Sequence, residues 1–276
     1  MCIFGDILYV LLRDKEDNGS LISFNIEIDG TLNNQSGEMP TMGKVACHLC
    51  CDEGNIYVAN YISGNIIKML DNVVMHRGSS IHETRQTSPH PHYICPTPDK
   101  KYIVSADLGL DEIIVYDKNL NFVSKTSVPK GHGVRHIAFT DDGKTAFSAN
   151  ELGSTVSVFD YNDGRFTLKS TVNTLFNKRE ENYPSAIRFN GSLYLSNRGD
   201  NSISCFEYKN GLLQLKSVTK TGGNWPRDFE FFGSRLICTN QQSDNITLFS
   251  VNGEISEQIG EWKVPSPICV VGRKIK

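Results

Sequence analysis

Runs of about five apolar, β-branched or aromatic residues alternate along the chain with polar, turn-forming stretches, and no 3.6-residue period is sustained. One line recurs: an apolar strand closing on a small residue and then Asn or Asp. Its copies are Ile56-Tyr57-Val58-Ala59-Asn60, Ile103-Val104-Ser105-Ala106-Asp107, Ala146-Phe147-Ser148-Ala149-Asn150, Leu193-Tyr194-Leu195-Ser196-Asn197 and Leu236-Ile237-Cys238-Thr239-Asn240. Their last residues are 47, 43, 47 and 43 positions apart, and a degraded sixth copy, Leu8-Tyr9-Val10-Leu11-Leu12, ends 48 positions before Asn60. A second strand follows each copy, as in Thr155-Val156-Ser157-Val158-Phe159, and another precedes it across a tight turn such as Asp141-Asp142-Gly143-Lys144. A looser fourth strand fits the remainder, as in Phe166-Thr167-Leu168-Lys169-Ser170.

Four antiparallel strands in every ~40–50 residues predict an all-β chain, a β-propeller of four-stranded antiparallel blades. Six repeats are visible. With strands A to D running outward from the centre, 265–271 reads as a lone A strand and 7–10 as a B strand lacking its A. Pairing of these N- and C-terminal strands is expected to close the fold and remove both exposed edges. One propeller domain is expected over 1–276.

Composition narrows the partners. Of 276 residues, 39% are hydrophobic and 21% charged, which excludes a disordered chain. A net charge of -3 does not suit a polyanion, so no nucleic acid is expected. No apolar run approaches the ~18 residues of a membrane span. The start, Met-Cys-Ile-Phe-Gly-Asp, has no basic n-region, so the expected location is cytoplasmic. The eight cysteines are scattered and read as reduced, buried apolar groups. Cys47-His48-Leu49-Cys50-Cys51 has a C-x-x-C spacing without a second pair, so no metal is expected there. A closed propeller has few free edges, and a monomer is the expectation.

In an A-B-C-D meander the D-to-A and B-to-C connections open on one face. Two columns of residues therefore share that face. The first, at the start of strand A, reads Cys47, His92, Arg135, Ser185 and Arg227; the second, just after strand B, reads Arg13, Tyr61, Leu108, Glu151, Arg198 and Gln241. A His, several Arg and a Glu gathered this way describe a site for an anionic small molecule, since the planar guanidinium fork suits phosphate or carboxylate. Blander roles fit each residue too. His92 fits a core histidine, and His90 with His92 fits a metal pair but has no acidic third ligand nearby. Arg135 and Arg227 fit braces on backbone carbonyls, and Glu151 fits a surface turn. Asp107, Asn150 and Asn197 fit turn caps better than catalysts, and Trp225 fits packing at a blade edge.

The motifs His90-Pro91-His92-Tyr93 with Ser105-Ala106-Asp107-Leu108-Gly109, Gly133-Val134-Arg135-His136 with Asn150-Glu151-Leu152, Ser196-Asn197-Arg198-Gly199 and Asn224-Trp225-Pro226-Arg227-Asp228-Phe229 resemble, in order and spacing, the propeller lactonases. That family includes 6-phosphogluconolactonases and carboxymuconate-lactonizing enzymes. The resemblance covers nearly the whole chain and implies catalytic residues at His92, Glu151, Arg135 and Arg227, with Arg198 and His136 as further substrate-binding positions. Its members usually carry seven blades, so this chain is expected to lack one at the N-terminus.

The implied reaction is hydrolysis of a sugar lactone, foremost 6-phospho-D-glucono-1,5-lactone, a step of the pentose phosphate route. Arg135 and Arg227 would hold the phosphate or the ester oxygen, and Glu151 or His92 would deprotonate water. No cofactor is implied, and no Gly-x-Ser-x-Gly elbow offers a serine nucleophile. The alternatives are lactonizing or isomerizing chemistry on carboxymuconate-like acids, a non-catalytic propeller that binds a ligand or protein, and a shortened relative without activity.

Overall fold

The computed structural model describes residues 1–273. The backbone divides into two compact units, Met1–Gly133 with Asn162–Arg165 and Arg273, and Val134–Tyr161 with Phe166–Gly272. Among the described residues the chain is all-β, with six antiparallel sheets and a single 3-10 turn at Gln241–Ser243.

In the first unit, β1 (Cys2–Phe4), β2 (Ile7–Arg13), β3 (Asn18–Ile26) and β4 (Leu32–Asn33) form one sheet, and β5 (Met39–Lys44) adds to β3. A second sheet holds β6 (Ala46–Asp52), β7 (Asn55–Asn60), β8 (Asn65–Lys68) and β9 (Asn72–Met75). A third holds β10 (Pro91–Pro96), β11 (Ile103–Asp107), β12 (Glu112–Tyr116) and β13 (Phe122–Ser127). The second unit has the sheets β14 (Val134–Phe139), β15 (Thr145–Asn150), β16 (Thr155–Asn162) and β17 (Arg165–Asn173); β18 (Tyr183–Asn190), β19 (Ser192–Arg198), β20 (Ser202–Lys209) and β21 (Leu212–Lys220); and β22 (Pro226–Phe232), β23 (Arg235–Asn240), β24 (Asn245–Asn252) and β25 (Glu254–Lys263). Apart from β5, which pairs with β3, strands pair in sequence order, as the repeat predicts for propeller blades.

Burial explains the composition of each strand. Every residue of β11 and β15, the second strands of their sheets, is buried, whereas the fourth strands β13 and β17 are largely exposed. A strand covered on both faces must be small or apolar throughout, which is why Ile103-Val104-Ser105-Ala106 and Ala146-Phe147-Ser148-Ala149 do not alternate with charge. Within the first unit Tyr57, Ile66, Ile94, Ile103 and Ile114 pack as one cluster. Within the second, Phe147, Leu195 and Phe206 form one cluster, and Tyr194, Phe229 and Phe249 another. Each such side chain contributes roughly 1.5–3 kcal/mol when fully buried.

The turns joining first and second strands repeat one device. Thr97 Oγ1 donates to Asp99 Oδ1 at 2.6 Å and accepts from Tyr102 N at 3.1 Å. Thr140 Oγ1 donates to Asp142 Oδ1 at 2.7 Å and accepts from Thr145 N at 3.2 Å. The residue after each Asp is left-handed, Lys100 at φ 55° and Gly143 at φ 67°.

One expectation needs correction. The segment 265–271 forms no strand, and the N- and C-terminal strands do not pair. β1 supplies the first strand of its own sheet instead, folding onto β2 with Phe4 opposite Ile7. The physical reason is in the segment itself: Pro265 and Pro267 have no N–H to give a ladder. Two of its remaining N–H groups go to carboxylates, Ser266 N to Asp244 Oδ1 at 2.8 Å and Val270 N to Asp228 Oδ2 at 3.1 Å. Beyond it, Arg273 ion-pairs with Asp6 and donates to the carbonyls of Ile26 at 3.3 Å and Glu27 at 2.8 Å.

Candidate active site

The first column is a column of β-bulges. In β14 the pairing skips Arg135, because Val134 faces Asn150 and His136 faces Ala149. The same shift falls on Cys47 between Ala46 and His48, on His92 between Pro91 and Tyr93, and on Arg227 between Pro226 and Asp228. In β18 it spans Ser185, between Pro184 and Ile187. An extra residue in a strand cannot keep the pleat, so its side chain is re-aimed. The sheets thus present one irregular side chain each at the start of the first strand, and the sequence has put His92, Arg135 and Arg227 there.

The second column is fixed by the residue before it. Asn150 and Asn197 close their strands fully buried, and their amides serve structure. Asn150 Nδ2 donates to Thr155 Oγ1 at 3.0 Å and Ser157 Oγ at 2.9 Å, and Asn197 Nδ2 donates to Ser204 Oγ at 2.7 Å. Asp107 accepts from His90 N at 2.7 Å and Leu110 N at 3.1 Å, while its other oxygen meets His76 Nδ1 at 2.6 Å. His76 Nε2 lies 2.9 Å from the Tyr116 hydroxyl, whose pKa is pushed up by burial and then by the Asp107 charge. These strand-closing residues hold the connections that carry the next side chain, in line with a capping role.

In the second unit the two columns meet. Glu151 Oε2 lies 3.1 Å from Arg135 Nε and 2.6 Å from Arg198 Nη2, and all three side chains are buried. A buried carboxylate is tolerable only when paired, and here a single oxygen serves two guanidinium groups. Two guanidinium groups thus share one carboxylate. Arg198 is further fixed by Nε donating to the Tyr183 carbonyl at 3.1 Å, with its guanidinium 5.4 Å from the Trp225 ring centre. Guanidinium groups fixed in this way are the kind of donor that stabilises an anionic oxygen without first reorganising.

Arg227 sits half-buried on its bulge. Its Nη1 donates to Gln241 Oε1 at 3.3 Å, and its carbonyl accepts from Ser185 Oγ at 2.7 Å. Arg227 and Gln241 therefore repeat in the last sheet the pairing of the two columns that Arg135 and Glu151 make in the fourth. His136 is buried on β14 beside Arg135.

His92 belongs to the first unit. It is buried, and its ring meets Tyr61 edge-on at 5.5 Å. Tyr61 stacks on His90 at 4.4 Å, and its hydroxyl accepts from Arg85 Nη2 at 3.2 Å. His90 Nδ1 lies 2.9 Å from the Tyr61 carbonyl and Nε2 lies 3.4 Å from Ser88 Oγ, so both of its nitrogens are engaged within the protein.

Trp225, for which the sequence suggests edge packing, also contacts an arginine of the site. It is half-buried, it carries the Arg198 guanidinium, and Tyr183 lies 5.8 Å away. Its φ is 63°, a conformation that costs a bulky residue about 1–3 kcal/mol. Nothing in the spacing of the motifs points to this backbone, which follows from the connection into β22.

Residues 4–272 match the family described as Lactonase, 7-bladed beta-propeller. The chain is 33% identical to an uncharacterized protein of Staphylococcus aureus strain USA300, over 91% of this chain and 80% of that one. It resembles the crystal structure of a protein from Lactobacillus plantarum with a TM-score of 0.90 and 29% identity, covering 97% of this chain and 85% of that one. It also resembles a candidate 6-phosphogluconolactonase from Bacteroides fragilis with a TM-score of 0.88 and 29% identity, covering 96% and 83% of the two chains. The six sheets of the described residues are one fewer than the seven blades of the family description.

Proposed function

From the premise that the chain belongs to the lactonase family of seven-bladed β-propellers, we propose that it hydrolyses a sugar 1,5-lactone, with 6-phospho-D-gluconolactone as the substrate and 6-phosphogluconate as the product. The observation that carries this reading is Glu151 clamped by Arg135 and Arg198.

Water adds to the lactone carbonyl, and the bond from that carbon to the ring oxygen breaks. The products are a carboxylate and a free hydroxyl, with one proton released. In this scheme Glu151 takes the proton of the attacking water as the carbonyl oxygen becomes negative. The carboxylate loses its charge as the oxyanion gains one. Arg135 and Arg198 thus face one negative charge throughout, and the net charge of the buried array does not change during the step. Glu151 then gives the proton to the ring oxygen as the carbon–oxygen bond breaks, and the carboxylic acid so formed loses the one proton released. Arg227, half-buried and bonded to the neutral Gln241, is the group assigned to the phosphate. His92 is the second candidate for the proton, and His136 a further contact. Neither step needs a metal or organic cofactor, since a lactone is already an activated ester.

The same reading makes the protein a cytoplasmic monomer serving the oxidative branch of pentose phosphate metabolism. Its test is acid release from freshly made 6-phosphogluconolactone, glucono-1,5-lactone and carboxymuconolactone, followed against the spontaneous rate. Fastest turnover of the phosphorylated sugar lactone supports the reading. A preference for the muconate compound assigns the site to carboxylate chemistry, and no release above background from any of them overturns the enzyme. Size-exclusion chromatography and cell fractionation check the remaining two points.

A further inference from the structure

We propose that Trp225 is a stacking platform for the six-membered ring of a sugar substrate, an inference that rests on the hydrolase reading above and adds the residue that recognises the ring.

Three observations carry it. The backbone at this position is left-handed in other sheets as well, where the residue entering the first strand is Val45 at φ 55° or Gly133 at φ 63°. Glycine meets that demand without strain, so the fold asks for the conformation and not for an indole. Strain is heightened here because Pro226 follows and disfavours helical backbone at the residue before it. The strained residue is nevertheless held firmly. Its N–H donates to Asn201 Oδ1 at 2.9 Å, and its carbonyl accepts from Gln241 N at 3.1 Å. A strained backbone held this firmly under a large aromatic side chain motivates a functional reading of the indole.

The second observation is what the ring touches. The Arg198 guanidinium lies 5.4 Å from the indole centre, and the same guanidinium reaches Glu151 at 2.6 Å. The indole is one residue removed from the carboxylate that opens the lactone in our scheme. The third is its exposure: Trp225 and Tyr183 lie 5.8 Å apart and neither residue is fully buried. An aromatic face is electron-rich, and the axial C–H groups on one face of a pyranose-like ring are weakly positive and apolar. The two fit, whereas the opened, linear acid offers no such flat face. Trp225 would therefore select the cyclic lactone and release the opened product.

The experiment uses the full-length protein carrying W262F, since Trp262 is the second and exposed tryptophan and stands outside the site. Glucono-1,5-lactam, a ring that does not hydrolyse, is titrated against Trp225 fluorescence, with linear gluconate as control. The lactam should change the emission saturably and bind at least tenfold more tightly than gluconate. By calorimetry, W225A should weaken lactam binding at least tenfold and W225F should stay within threefold of the parent. In turnover the W225A loss should fall on KM, with kcat within threefold. Equal lactam binding by W225A and its parent, or equal binding of lactam and gluconate, overturns the platform. Lactam binding does not need turnover. A protein that binds lactam through Trp225 yet opens no lactone keeps the platform and loses the hydrolase. A protein that opens lactones with KM unchanged in W225A keeps the hydrolase and loses the platform.

Discussion

At the scale of single residues, the site is a problem in charge. Arg135, Glu151 and Arg198 are buried together, and none of the three would be stable there alone. Arg198→Ala should cost about 3 kcal/mol, by leaving Glu151 one partner short and exposing the Trp225 face. It should also lower kcat/KM by about 10²–10³, the usual cost of losing an oxyanion donor. A urea titration and steady-state kinetics on the same preparation check both, and a variant with parental stability would contradict the pairing. Position after a strand-closing Asn made Glu151 and Arg198 legible in the sequence. Which cation touches the carboxylate was not, because that depends on side-chain reach. A separate residue-scale prediction concerns Cys2. A hydrogen bond from the Cys51 thiol outweighs burial and lowers the Cys2 pKa from 9.0 to about 7. Burial instead raises Cys95 to about 12 and raises Cys238 further. A lowered thiol pKa means that thiolate persists as pH falls and is lost only below about 7. Iodoacetamide labelling read by mass spectrometry should therefore give Cys2 a midpoint near pH 7, ahead of the other cysteines. A midpoint near 9 would contradict the Cys51 contact.

At the scale of elements, strands were legible and registers were not. The repeat of strand, small residue and Asn located the second strand of each sheet, because a doubly covered strand has a restricted composition. The column before it was also found, but not the reason for it. A bulge is a property of pairing, and pairing is invisible in one strand's sequence. The backbone of Trp225 was hidden for the same reason. The Thr97 and Thr140 turns yield a prediction. They share their hydrogen bonds, but one places Lys100 and the other Gly143 in the left-handed position. Lys100→Gly should be neutral or stabilising, by up to about 1 kcal/mol, whereas Gly143→Ala should cost about 1 kcal/mol. Thermal melts that ranked the two variants the other way would show that the turns are not equivalent.

For the molecule as a whole, all-β architecture and blade count were legible because six copies recur at nearly constant spacing. The course of the C-terminal segment was not. The apolar stretch at 265–271 resembles a strand in composition, but its two prolines withhold the donors that a ladder needs. Two of its N–H groups go instead to the Asp244 and Asp228 carboxylates; Arg273, beyond it, binds Asp6 and the carbonyls of Ile26 and Glu27. Arg273→Ala should therefore lower the melting temperature by about 2–4 °C, the effect of losing roughly 1 kcal/mol in a protein of this size. An unchanged melting curve would show the contact to be idle. Family membership sets the reaction class, while the protein's own Arg135, Glu151 and Arg198 set the chemistry proposed for it.

The most direct test of that chemistry is the turnover of Glu151→Gln on 6-phosphogluconolactone, measured beside its affinity for the non-hydrolysable lactam. Glutamine keeps the shape and an acceptor oxygen between the two arginines but takes up no proton from water. The account predicts a fall in kcat of about 10²–10⁴ with lactam binding held within a few-fold. Turnover equal to that of the parent, in a variant that folds and binds, would contradict it.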